Sequence, residues 1–544
     1  MTALSRKLMR DLWHHRGQAT AVALVVACGV ASFLTTRSAH HSVLLSRDDY
    51  YGRYRFADVF VSLKRAPNAL AKRIAGIPGV AFAETRVVVD VTLDVPGLPE
   101  PATGRVVSVP DGSAPALNRL ALRRGRFIEA GRRDEVLASE AFTTANRLDI
   151  GDRIGAVMNG RWESLRIVGI ALSPEYVYEI RGAGSILPDN RRFGILWMSR
   201  DALGPAFDME GGFNDLVLSL APGANRADVI AALDDLLERY GNLGAYGRED
   251  QVSNNFLDNE LAELRTEARV VPAIFFGVAV FLLHIVVTRL VNTQRDQIAL
   301  LKALGYSNAA IGLHFLQFVL AMVIGGVALG SGVGLWLGRG LTRLYADYFH
   351  FPVLRYEAGL EVVAISILAS LAAGVLGALG AVRHAISLPP AEAMRPEAPA
   401  RFRAGLLERL HMNRVLSPSV RMIVRNLARR PIRFALSVLG VSLAVGILVL
   451  GSYFWDMVDE AMDLQFRAVE RQEATVGFTD PRSARAAFEL AHLPGVLRSE
   501  PFRAVPVRLR YEHRSKRVAL LGLSPGADLR RVIDRRRRPV KLPP

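Results

Sequence analysis

The chain has 544 residues, half of them hydrophobic, with a mean hydropathy of +0.20 and a formal charge of +16. High apolarity combined with high basicity points to a membrane protein whose charge sits in its loops, and away from a nucleic-acid binder. The one cysteine, Cys28, lies within an apolar run, which excludes a disulfide framework and a cysteine metal site.

In chain order, segment 1–16 is basic, and the run Gly17–Thr36 carries no Asp, Glu, Lys or Arg. That run is long for a signal peptide and no small-x-small cleavage site follows it, so it reads as an uncleaved first span at 17–36. A large outer domain is expected over 37–269. Its predicted strands are Ala57–Leu63, Arg86–Val95, Gly104–Val109, Ser164–Ala171, Phe193–Met198 and Asp215–Leu220, rich in β-branched residues and bounded by Gly, Pro and Asp. Helices are expected at Asn68–Ala75 and Ala227–Tyr240. The stretch "SPEYVYEI" at Ser173–Ile180 reads as a surface loop, and "NNFLDNELAELRTEAR" at Asn254–Arg269 as a charged helical stalk entering a second span at 270–291.

Residues 292–310 hold "QRDQIALLKALGYS", a short amphipathic helix between two spans. Ile298, Leu300, Leu301 and Leu304 fall on one arc, Arg295, Asp296 and Lys302 on the other, and Gly305 supplies a stop. A third span follows at 311–338, a hairpin at 339–361, a fourth span at 362–382, a basic linker at 383–433, a fifth span at 434–455 and an outer segment at 456–544. Each span is long enough to cross about 30 Å of hydrocarbon at 1.5 Å per residue. One mid-span Arg or Lys would cost about 2.5–3.5 kcal/mol, so the five windows free of charge, Gly17–Thr36, Val270–Thr288, Ile311–Gly338, Val362–Val382 and Phe434–Trp455, are informative.

Orientation follows from the basic residues. Segment 383–433 carries eleven arginines against Glu392, Glu397 and Glu408, whereas charges balance in the 339–361 hairpin. Positive-inside logic places the N-terminus, 292–310 and 383–433 in the cytoplasm, and 37–269, 339–361 and 456–544 outside. The fold class expected is an α-helical multi-pass membrane protein with a large α+β extracytoplasmic domain. Its five transmembrane helices make a four-span module plus the start of a second.

Comparison of the chain with itself supports that count. "MRDLWHHRGQATAVALVVACGVASF" from Met9 resembles "VRNLARRPIRFALSVLGVSLAVGIL" from Val424, and "LAKRIAGIPGVAFAETRVVVDVTL" from Leu70 resembles "AFELAHLPGVLRSEPFRAVPVRLR" from Ala487. The repeat implies that on the order of 260 residues of a second unit are absent, as in a truncated or frame-shifted chain. The run Arg535–Arg538 resists a reading as folded structure.

None of the six lysines follows a glycine, so a G-x-x-x-x-G-K-[ST] phosphate loop is excluded, and H-E-x-x-H does not occur. Strongly polar groups within the spans are few: His284, His314 and Gln317. That sparsity argues against an ion path. Gly326, Gly330, Gly334 and Gly338 form a four-residue ladder, and Ser370, Gly374 and Ala378 a second one, both suited to close helix packing.

A helix between spans two and three can dock on a soluble partner or lie on the lipid surface. Here a resemblance bears on the choice. "RDQIALLKALGYSNAAI" from Arg295, "VRNLARRPIRFALSVLGV" from Val424, "SLPPAEAMRPE" from Ser387 and "LRRGRFIEAGRRDEVLASEAFTTANRLDIGDRI" from Leu122 resemble the FtsX-like, or MacB/LolC/LolE-type, ABC transporter permeases. The resemblance implies a permease of the bacterial inner membrane, not an enzyme, with a MacB-like periplasmic core domain. Its partner would be a LolD/MacB-type ATPase dimer that carries ATP and Mg, with no cofactor in this chain. The coupling role would fall on Arg295, Gln297, Ile298, Leu301, Lys302, Leu304 and Gly305. Further expected partners are membrane lipids and a periplasmic adaptor or lipoprotein cargo, and no nucleic acid. Movement of the outer domain would extract or export a lipid, lipoprotein or peptide. The alternative is an FtsX-type signalling protein that controls a periplasmic cell-wall hydrolase.

Overall fold

Each charge-free run forms a helix longer than the run itself. The computed structural model describes residues 3–181, 187–387, 389, 431–478, 482–511 and 514–540. Among them, five helices are long and apolar enough to cross a membrane. The described chain divides into two compact units, Met1–Val441 and Ser442–Pro544.

The first unit opens with α1 (Ala3–His14) and α2 (Arg16–Arg53). The head follows, with β1 (Val59–Pro67), α3 (Leu70–Ala75), β2 (Val80–Arg86), β3 (Val88–Asp94), β4 (Ala102–Val109), β5 (Ala121–Gly125) and β6 (Glu135–Ser139). It continues with α4 (Glu140–Asn146), β7 (Arg153–Met158), β8 (Arg161–Leu172), β9 (Phe193–Ser199), α5 (Arg200–Ala206), β10 (Gly212–Leu220), α6 (Arg226–Leu237) and β11 (Tyr246–Gly247).

These strands make two sheets. The order β11-β1-β10-β2 is antiparallel throughout, and α3 and α6 press Leu70, Ile74, Val229, Leu233 and Leu237 onto its Val59, Val61, Phe213, Leu216 and Leu218. The second sheet runs β8-β6-β9-β4-β3-β7 and closes on itself through a β7–β8 pairing, a six-stranded barrel with β5 attached to β8. Val106, Val136, Phe142, Ile154, Ile167 and Leu196 fill its core. Phe142 lies across Gly194, where an added Cβ would fall 2.4 Å from the ring.

After the head come α7 (Val252–Thr293), α8 (Arg295–Ala303), α9 (Asn308–Tyr348) and α10 (Leu360–Ser387). Helix α2 continues beyond the 17–36 span to Arg53, and α9 beyond the 311–338 span to Tyr348. Both stay helical because α7 gives them a partner beyond the spans. Arg47 pairs with Asp258 at 2.8 Å, Tyr51 Oη donates to Asn254 Oδ1 at 3.0 Å, and Tyr345 Oη donates to Glu260. The stalk is therefore three helices, where the sequence suggests one.

The glycine ladder explains how α2 and α9 meet. A Cβ on Gly326 would fall 2.6 Å from the Ala23 carbonyl oxygen, one on Gly330 2.6 Å from that of Ala27, and one on Gly334 2.9 Å from the Ala31 Cα. On Gly338 it would meet Ser38 Oγ at 2.6 Å. The backbones touch along four turns, which gives dispersion contacts where lipid offers little hydrophobic drive. Gly374 faces Val323 of α9, Gly377 faces the Val280 backbone of α7, and Gly380 leaves room for the His284 ring. A further helix, α11 (Pro431–Asp463), brings Gly440 against Phe281. Residues 388 and 390–430, which hold most of the basic linker and the start of the second repeat, lie outside the described residues.

The second unit contains α12 (Ala484–Ala491) and an antiparallel hairpin of β12 (Phe502–Tyr511) with β13 (Arg514–Leu523). The arginine run is not shapeless. Asp534 accepts from the backbone of Arg536 and Arg538, both at 2.8 Å, and Arg537 pairs with Glu460. A carboxylate that satisfies two turn amides organises this stretch without an apolar core.

Candidate functional site

The α7–α8–α9 corner is set by local chemistry. Helix α7 stops at Thr293 because Gln294 leaves helical geometry, at φ −102° and ψ 21°. Helix α8 stops before Gly305, whose φ of +90° suits glycine at a helix end. Ser307 then caps α9, its Oγ accepting from Ala310 N at 3.2 Å.

The apolar arc of α8 divides. Ile298 and Ala299 are buried, and Leu301 is half-buried and packs on the core of the helix bundle. Leu300 and Leu304 are 56% and 68% exposed. Gln297 and Gly305 are also exposed, whereas Arg295 and Lys302 are half-buried. The single docking arc of the helical wheel is thus two faces, one seated in the helix bundle and one open.

Polar contacts hold the seated face. Lys302 Nζ donates to the Ile386 carbonyl at the end of α10 at 2.7 Å, and burial lowers its pKa. Lys7 of α1 donates to Gln294 Oε1 at 2.7 Å and pairs with Asp11. His314 Nε2 lies 3.5 Å from Asp11 Oδ2. Burial alone would raise the Asp11 pKa, but hydrogen bonds from His314 and Lys7 bring it down to about 2. A cavity of about 10 Å³, room for one water, is lined by Leu4, Lys7, Gln297 and His314 among others. The sequence reading missed this cluster. Its one local signal is that Leu4, Lys7, Leu8, Asp11 and Leu12 share a helical face. His314 sits buried beneath α1, while Gln317 is exposed.

The outer end of α7 is built differently. Ser173–Ile180, expected as a surface loop, is buried throughout, because the top of the helix bundle closes over it. Tyr178 N donates to Ser253 Oγ at 2.8 Å, Gln251 Nε2 to the Glu175 carbonyl at 2.7 Å, and His350 N to the Val177 carbonyl at 2.8 Å. The Tyr178 ring stacks on Phe256 of α7 at 4.9 Å and meets Phe349 at 5.3 Å. Beneath it, Arg86 bridges Glu175 and Asp215, each at 2.6 Å. Burial pushes the Glu179 carboxyl up to about 8, against a lowering hydrogen bond from Ser139.

No cluster of three His, Cys, Asp or Glu side chains suited to a metal occurs among the described residues. The described residues offer one continuous helix, α7, with a fixed outer end and a half-open inner corner.

Residues 269–390, from within α7 to just past α10, match the family model FtsX-like permease C-terminal. The chain carries an FtsX-like permease domain. No curated protein matches the chain. Among solved structures, it is similar to the extracellular domain of the noncanonic ABC-type transporter YknZ from Gram-positive bacteria. That match has 10% identity and a TM-score of 0.24, over 34% of this chain and 97% of that one. The periplasmic region of MacB from Actinobacillus actinomycetemcomitans matches with 9% identity and a TM-score of 0.24, over 38% and 92%. A domain of a permease protein from Porphyromonas gingivalis matches with 14% identity and a TM-score of 0.23, over 38% and 98%. The FtsX-like segment of this chain contains the whole α7–α8–α9 corner and α10.

Proposed function

We propose that this FtsX-like permease is the membrane subunit of an ABC transporter, driven by a separate ATPase that docks on the open face of α8. Movement there tilts α7 and α9, and the head, fixed to α7 at Ser173–Ile180, moves with them to extract or export a lipid, lipoprotein or peptide beyond the membrane. The observation that carries this reading is that α7 is one unbroken helix from Val252 at the head joint to Thr293 beside α8. Pro272 does not interrupt it. A rigid element biased at one end transmits its displacement to the other.

In this reading Leu300 and Leu304 enter an apolar groove on the ATPase, and Gln297 lies at the rim of the contact. Ile298, Leu301 and Lys302 keep α8 seated so that a push on the exposed leucines reaches the spans. The sparse polar content of the spans agrees with cargo that does not pass between them.

The test is co-purification of an ATPase subunit with the full-length chain. Leu300→Asp and Leu304→Asp should each weaken the complex by at least about tenfold while membrane insertion is retained, as expected of apolar anchors at an interface centre. Undiminished capture of the ATPase by both variants would overturn the docking role.

A further inference from the structure

Helix α1 uses its two faces for different partners. The inward face, with Leu4, Lys7, Leu8, Asp11 and Leu12, is given to the protein: Leu8 and Leu12 pack on the helix core, and Lys7 and Asp11 reach Gln294 and His314. The outward face is formed by Arg6, Met9, Arg10 and Trp13, continued by Arg16, and all five are exposed. Met9 is 62% and Trp13 73% exposed, and the Arg16 guanidinium lies 5.3 Å from the centre of the Trp13 ring. The nearest acid, Asp11, is turned inward. The stripe therefore carries three cations, an indole and a thioether with no acidic residue among them, and it ends where the first apolar run begins at Gly17.

We propose that this outward stripe of α1 binds the anionic headgroups of membrane lipid. Three features favour lipid over an acidic protein surface. The stripe is continuous with a span, so it lies at the level where hydrocarbon gives way to headgroups. Tryptophan favours that level, its ring in the apolar boundary and its N–H toward water. Arginine beside it can lay its stem along apolar surface and raise its guanidinium to a phosphate. Because the opposite face of α1 holds Gln294 at the coupling corner, lipid charge would also fix the orientation of that corner. The lipid contact itself stands without the ATPase reading.

The experiment places the full-length chain in nanodiscs of phosphatidylcholine mixed with phosphatidylglycerol, with bromine on the acyl chains of one or the other. The component due to Trp13 is the fluorescence quenching of the wild type less that of Trp13→Phe. Brominated phosphatidylglycerol should quench it more than brominated phosphatidylcholine. Raising the salt to about 1 M, where the Debye length is about 3 Å, should erase the difference. The triple variant R6Q/R10Q/R16Q should lose the preference, at up to about fivefold per arginine. Equal quenching by both lipids, a preference insensitive to salt, or a Trp13 shielded from both lipids would each overturn the proposal; the last outcome would assign the stripe to a protein. Should the triple variant fail to insert, the salt titration on the wild type gives the same decision.

Discussion

The two ends of α7 solve opposite problems. At the outer end, Ser173–Ile180 is locked by backbone hydrogen bonds to Ser253 and His350, by stacking on Phe256 and by the buried Arg86 pairings. At the inner end, Ile298 and Ala299 are seated while Leu300 and Leu304, on the same short helix, remain bare. A helix welded at both ends would be a strut, and one loose at both ends would transmit nothing. Under the proposed function, force would enter at the inner end and be delivered at the outer end.

The largest expected effect strikes the α2–α9 seam beside α7. Gly330→Leu forces a side chain into the Ala27 backbone, where even a Cβ would sit 2.6 Å from the carbonyl oxygen. The strain goes well beyond the about 1–3 kcal/mol of ordinary overpacking, so the variant should lose its monodisperse peak in detergent. Next comes the welded end. Arg86→Ala leaves Glu175 and Asp215 buried without their cation, and unfolding of the head should be easier by about 3–5 kcal/mol in a denaturant titration. At the inner end the two faces of α8 should separate. Ile298→Ala should destabilise by about 2–5 kcal/mol, whereas Leu304→Ala should fall within about 0.5 kcal/mol. Equal losses at the two positions would erase the distinction between seated and open faces.

The smallest effect is a pH slope at the joint. Glu179 has a raised pKa in the folded chain because it is buried, so its neutral form is favoured there while the unfolded chain ionises at the ordinary value. Its contribution is fully present below about pH 4.5 and is lost as pH rises toward about 8, at no more than about 1.4 kcal/mol per pH unit. Thermal unfolding of the wild type should therefore decline over that window relative to Glu179→Gln. Parallel curves for the two proteins would show that the joint does not hold Glu179 as a neutral acid.

Much of the helical architecture was legible because a charge-free run of some twenty residues has few alternatives. The helix Arg226–Leu237 and strands such as Phe193–Ser199 were legible for a similar reason, since their apolar periodicity is undisturbed. The strands β5, β6 and β7 were not. They are five or six residues long, and β6 carries Glu135 into the barrel wall, where Arg126 and Arg166 each pair with it at 2.7 Å. A buried carboxylate matched by distant arginines breaks the alternation on which a strand reading relies. At the corner, a helical wheel locates the leucines of α8 but not the neighbour that takes one side of them. That choice depends on Phe315, Ile386 and α1, which are remote in sequence. The exposed-loop reading of "SPEYVYEI" failed likewise, because its partners lie on α7 and near Phe349.

The length of α7 has a mechanical consequence. Its 42 residues span about 63 Å at 1.5 Å per residue, roughly twice the hydrocarbon thickness. An angular change of about 5° about one end carries the other through about 5 Å, close to the pitch of a helical turn. Under the proposed function, modest rocking at the inner end of α7 would become an excursion of molecular size at the head.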